Sequence, residues 1–105
     1  MRRSVILKAD AQAELEEAAA WYEGRRKGLG RQFTRAIRAA LTRLRKAPEA
    51  HARVYGEARR ALVPGFPQYV LYYTVEPTQV TVFSVFHASR DPRTWQLRVD
   101  DPGDP

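Results

Sequence analysis

The sequence predicts an α+β domain: an N-terminal strand, a helical hairpin and then a three-stranded antiparallel meander, with the hairpin packed on one face of the sheet. Three observations carry that expectation. Tyr69–Val75 and Val80–Phe86 are dominated by the aromatic and β-branched residues that strands favour. Between them Glu76-Pro77-Thr78-Gln79 is a turn, because proline presets φ and cannot donate to a sheet ladder. Upstream, Leu29, Phe33, Ile37, Leu41 and Leu44 recur every three or four residues, which is the stripe of a helix laid on a core.

Taken in order, Ser4–Lys8 is short and β-branched, a first strand. Asp10 stands where its carboxylate can cap the next helix, in which Ala11, Leu15, Ala18, Ala19 and Tyr22 share one side. Gly28-Leu29-Gly30 makes the corner, since two close glycines weaken a helix and permit a left-handed turn. The second helix runs from about Arg31 to Arg45 and stops before Pro48. A loop holding Glu49, His51 and Arg53 leads to a third strand, Ala58–Val63, and Pro64-Gly65-Phe66-Pro67 turns the chain into the meander's last two strands. Asp91-Pro92 reads as a turn or helix start, with Asp91 as cap. The expected domain is residues 1–95, followed by an acidic Pro/Gly tail, Gln96–Pro105, that lacks the apolar content to pack.

With 105 residues the chain forms one domain that buries roughly two thirds of its unfolded surface. The absence of cysteine excludes disulfides and thiolate metal sites, and two histidines, His51 and His87, are too few for a histidine-based one. No apolar run approaches the roughly 20 residues of a membrane helix, and Met1-Arg2-Arg3 leads into a strand-like segment instead of a signal-peptide core, so a cytoplasmic protein is expected. The net charge of +6 is divided unevenly. Asp10 to Glu23 holds five acids and no base, whereas Arg25 to Lys46 holds nine bases and no acid. Arg31, Arg35, Arg38 and Arg45 fall off the apolar stripe as an exposed ridge, open to nucleic-acid phosphates or an acidic protein, or simply solvated. The acidic and basic arms are expected partly to neutralise each other.

No phosphate loop, nucleophile elbow or carboxylate pair stands out. Individual residues remain. His87, Ser89, Arg90 and Asp91 come where the last strand loses its hydrophobic character, and His87 has the pKa range for acid–base work or a structural role. Arg59 and Arg60 are consecutive in a strand and point to opposite faces. Arg93 is expected to be exposed, and Trp95 to be a lid over the sheet more than a platform for bases. Tyr69, Tyr72 and Tyr73 alternate across the sheet.

The first helix ending AAAWYE, the GLG corner before QFTRAIRAAL, the block ARRALVPGFPQYVLYY and the ending VFSVFHASRDPRTW together resemble the RelE/ParE superfamily of toxins from type II toxin-antitoxin modules, on the plasmid-stabilisation, ParE-like branch. The resemblance spans nearly all of the chain to Trp95. It implies a growth-arresting toxin, without cofactor or metal, that is neutralised by a cognate antitoxin and is a homodimer or a toxin-antitoxin heterotetramer. RelE-like members cut mRNA on the ribosome and use an arginine just after a tyrosine of the central strand. Here Val70 follows Tyr69, and valine can neither stabilise a phosphorane nor donate a proton. ParE-like members poison DNA gyrase by binding, which needs no catalytic set. Three functions follow: gyrase binding; mRNA cleavage by His87, Arg90 and Arg60, with Trp95 beside them; or a non-toxic RNA-binding domain. Arg31, Arg35, Arg38, Arg59, Arg60, Arg93 and Trp95 are the candidate target-binding residues.

Overall fold

Ser4–Leu7 (β1) runs without a loop into Ala9–Arg25 (α1), and a corner at Gly28 starts Leu29–Lys46 (α2). A 3-10 turn, Pro48–Ala50, then leads to Arg53–Tyr55 (β2), Ala58–Leu62 (β3), Tyr69–Val75 (β4), Gln79–His87 (β5) and Arg93–Asp100 (α3). This is a computed structural model, and it describes residues 3–100. The expected antiparallel meander is β3–β4–β5. The sheet is larger than the meander: five strands in the order β1-β5-β4-β3-β2, with β1 parallel to β5 from Ser4 opposite Gln79 to Leu7 opposite Val82. β2 replaces the loop expected around Arg53. Its three residues are too few to show an alternation, and it exists because Gly56, at φ 56°, opens a tight turn back into β3.

The helical hairpin differs from expectation at its ends. Asp10 does not cap α1; it lies in the first turn, and the cap position is Lys8, whose amide donates to the Val82 carbonyl at 2.9 Å. The β1 ladder thus continues to the residue at which the helix begins, and no loop remains in which Asp10 could serve as cap. At the corner Gly28 has φ 88°, the left-handed region that favours glycine. The helix starts two residues before Arg31 because the Glu23 carboxylate takes the Gly28 amide at 2.9 Å and the Gly30 amide at 3.1 Å. At Gly30 the two helices approach closely. A Cβ there would lie 2.4 Å from the Ala19 carbonyl oxygen. Gly30→Ala is therefore expected to force α1 and α2 apart and to destabilise the protein by about 1–3 kcal/mol, read as a lower urea midpoint at unchanged m-value; an unchanged midpoint refutes the close approach.

Each face of the sheet carries its own core. On the hairpin face Leu71, Tyr73, Val80, Val82 and Val85 pack against Ala11, Ala18, Phe33, Ile37 and Leu44. On the other face Val70, Tyr72, Phe83 and Phe86 pack under Trp95. The switch is made by a bulge: Tyr72 pairs with Ser84 but Tyr73 with Val82, so Phe83 is the extra residue. That resets the alternation and lets Val82 and Val85, three apart, share the hairpin face.

α3 corrects the expected boundary after Trp95. Asp91 accepts the Arg93 amide at 3.0 Å and so opens the helix, with Pro92 at its entry. Trp95, 4% exposed, stacks on Tyr72 at 3.9 Å and 15°, the lid anticipated from sequence. Gln96–Asp100 stays helical where an unpacked tail was expected, because Val99 packs against the second core and Arg98 has carboxylates to reach. The rest of that tail, residues 101–105, lies outside the described residues.

Candidate functional site

A cleft of about 690 Å³ opens between α1, the Gly65–Gln68 turn and the end of β5. Its walls follow from local sequence. The stripe of α1 brings Tyr22, and the turn brings Phe66. Tyr69, first residue of β4, pairs directly across the ladder with His87, last of β5. Tyr22, Phe66 and Tyr69 form an aromatic floor with buried Phe33 packed behind it, ring centroids 5.0–6.1 Å apart. Burial raises the Tyr69 phenol above its ordinary pKa, helped by nearby Tyr22 and Glu17 and opposed by Arg90, so it is a neutral donor in the physiological range. At the rim Trp21 is 56% exposed, with the Arg25 guanidinium 4.8 Å above its ring.

His87 stands edge-on to Tyr69 at 5.0 Å. Its Nδ1 lies 3.1 Å from the Ser89 amide, which can only donate, and 2.7 Å from Ser89 Oγ. Nδ1 is thus an acceptor, and the ring proton sits on Nε2. Arg90 reaches Glu14 at 3.4 Å. Glu14 is the hub of the region, with its side chain 11% exposed: Oε1 accepts the Val85 amide at 3.0 Å, Ser84 Oγ at 3.1 Å and Arg98 Nη1 at 3.2 Å, and Oε2 accepts Arg98 Nη2 at 2.9 Å. β1 stops at Leu7 opposite Val82, and beyond it Glu14 and Arg98 cover the uncovered edge of β5; Arg98 also donates to the Phe83 carbonyl at 2.9 Å.

The candidate residues do not converge. His87 and Arg90 share the cleft. Arg60 pairs with Tyr72, so it lies across the sheet on the Trp95 face. Val70 is buried on that same face. Arg59, on the hairpin face, is committed to the His51 carbonyl at 2.5 Å and the Glu49 carbonyl at 3.4 Å. Beside it Tyr73 donates to the Pro48 carbonyl at 2.7 Å, which leaves His51 Nδ1 to donate to the Tyr73 oxygen at 3.2 Å. Arg93 is exposed and held by Asp91 at 2.7 Å, which keeps the Asp91 carboxyl below its ordinary pKa. Arg31, Arg35 and Arg38 are exposed on α2. Among the described residues no ion pair joins an α1 acid to an α2 base; the one α1 acid that reaches α2 is Glu23, at the amides of Gly28 and Gly30. Nor does any group of three or more His, Asp or Glu side chains among the described residues form a metal site, and no helix is long and apolar enough to cross a membrane.

Comparison with known families decides the relationship. A family model described as "ParE toxin of type II toxin-antitoxin system, parDE" matches residues 5–92. The chain belongs to the ParE toxin family. Among solved structures a similar one is described as "Chromosomal ParDE TA system from P. aeruginosa", with a TM-score of 0.61 over 81% of this chain and 95% of that one, at 10% sequence identity, a likeness of fold. A search of curated proteins found no match.

The ParE toxin fold thus holds an aromatic cleft with acids on one wall, Glu14 and Glu17, and His87 and Arg90 on the other. Such a mixture of apolar floor and few polar groups suits recognition. Sequence reading found His87 and Arg90 because they sit at a strand end. It did not single out Glu14, Glu17, Trp21 or Arg98: Trp21 lies in the AAAWYE helix end, Glu14 and Glu17 in the acidic block, and Arg98 in the stretch read as tail. As a ParE chain it is a toxin-family member of a two-component system, with an antitoxin as its counterpart.

Proposed function

We propose that this ParE toxin arrests growth by binding DNA gyrase, and that its cognate antitoxin neutralises it. The observation that carries binding over catalysis is the separation of Arg60 from His87 and Arg90 by the thickness of the sheet. Cleavage of mRNA needs a base, an acid and a group that stabilises the phosphorane on one surface. Here His87 Nδ1 is engaged by Ser89, Arg90 is drawn to Glu14, and the position after Tyr69 is a buried valine. A target that is merely bound needs none of these groups. The cleft then serves as receptor for the antitoxin, its aromatic floor taking apolar side chains.

Inducing the chain alone in a bacterium tests this. Supercoiling is expected to fall while amino-acid incorporation continues through the first minutes; immediate collapse of incorporation overturns the gyrase reading. The double variant His87→Ala/Arg90→Ala is expected to arrest growth as the unaltered chain does. Under cleavage it would lose about 100-fold or more of its activity, the usual contribution of a general acid or base.

A further inference from the structure

We propose that α2 carries a second binding surface, a ridge that takes the phosphate backbone of a double-stranded nucleic acid. This goes beyond the toxin's action on its protein target and stands whether or not that target is gyrase. Arg31, Arg35, Arg38 and Arg45 are all exposed on α2. At 3.6 residues per turn they fall within one narrow stripe, opposite buried Phe33, Ile37, Ala40 and Leu44. From Arg31 to Arg45 the stripe is about 21 Å long, 14 steps of 1.5 Å.

The ridge is left unneutralised by the way the fold uses its acids. Glu14 and Asp10 are taken by Arg98, Glu16 by Gln12 at 2.9 Å, and Glu23 by the amides that start α2. None of the four ridge arginines has an ion pair among the described residues. Because Glu23 already fills the N-terminus of α2, the positive field of the helix is carried by side chains alone.

The kind of anion follows from what the ridge lacks. Among the described residues the exposed large hydrophobics are Ile6, Trp21, Val54, Leu62 and Leu97, and none is on α2. A protein partner would need apolar anchors at the centre of the contact. A single strand would need aromatic platforms for its bases. A duplex backbone needs neither: it offers one charge per about 1.7 Å of its axis to guanidinium groups whose planar fork fits phosphate.

The test is fluorescence anisotropy of short random-sequence DNA and RNA duplexes, run in parallel with the whole protein between about 50 and 200 mM salt. Each phosphate contact contributes about −0.9 to the slope of log affinity against log salt. Arg31→Gln/Arg35→Gln/Arg38→Gln is expected to flatten that slope by about 2.7, three contacts' worth. Glutamine keeps the helix, which circular dichroism checks. Arg3→Gln/Arg53→Gln, which removes two bases off the ridge, is expected to leave the slope unchanged. Binding of either duplex with this pattern upholds the inference and identifies whether DNA, RNA or both is the source. The inference is overturned by no binding at the lowest salt, by equal slopes in the ridge variant and the unaltered chain, or by tighter binding of poly-glutamate than of either duplex.

Discussion

Glu14→Ala is expected to lower the melting temperature by about 10–20 °C, the equivalent of about 3 kcal/mol in a domain of this size. The side chain is 11% exposed and its two oxygens tie α1 to the edge of β5 and to α3 at once. Alanine leaves the Val85 amide without an acceptor where β1 no longer covers β5, and leaves Arg98, only 23% exposed, without its nearest carboxylate. An orphaned buried donor costs about 1–3 kcal/mol and the loss of one partner from a largely buried ion pair about 3–5 kcal/mol. Partial solvent access to Arg98 reduces the second figure, and the two share a cause, so about 3 kcal/mol is the sum. Glu14→Gln keeps an oxygen for Val85 and should lose roughly half as much. Thermal unfolding of Glu14→Ala, Arg98→Met and the double variant measures the coupling between them. A shift below about 4 °C for Glu14→Ala would mean the hub adds little.

Trp95→Ala is expected to cost about 3–5 kcal/mol and to release α3 from the sheet. The indole lies flat on Tyr72, edge-on to Tyr55 at 5.7 Å and beside Phe83, so its removal uncovers one whole face of the second core. Trp95→Phe should behave quite differently. Nε1 is buried without a hydrogen-bond partner among the described residues, and phenylalanine removes that donor while keeping a ring over Tyr72. The smaller area and the relieved donor nearly offset, giving about 1 kcal/mol or less. Chemical denaturation ranks the two, and limited proteolysis reports whether α3 is trimmed early. Equal losses in the two variants would show that the indole N–H contributes and that the orphaned donor is not one.

The contrast between these sites and the meander explains what could be read in advance. β4, β5 and the α2 stripe are long, periodic and bounded by Pro77 and by glycine, so local chemistry was enough. β1 could be recognised as a strand but not paired, since nothing near Ser4 points to Gln79. β2 has three residues, and α3 reads as RTWQLRVD, polar enough to pass for tail until Arg98 finds Glu14. The site was half legible. A strand end is visible in sequence, which gave His87 and Arg90. The face on which Arg60 stands relative to His87 depends on pairing across three strands: Arg60 meets Tyr72, His87 meets Tyr69 three residues away, and a one-residue slip in either register reverses the parity. Charge blocks were legible as blocks, but which acid meets which base was decided by the direction each helix face points.

β1 lies at the edge of the sheet with β5 as its one neighbour, and Ser4 meets Gln79. Those positions are 75 residues apart (79 − 4), so the pairing that closes the sheet is also among the most distant in the chain, the kind of contact that slows folding. On a translating ribosome that adds about 5–20 residues each second, the first strand waits about 4–15 s for its partner to be made. A chain released before Gln79 has its helical hairpin and no finished sheet. The molecule is therefore completed from its last strands backward to its first, and its birth on the ribosome has a built-in delay.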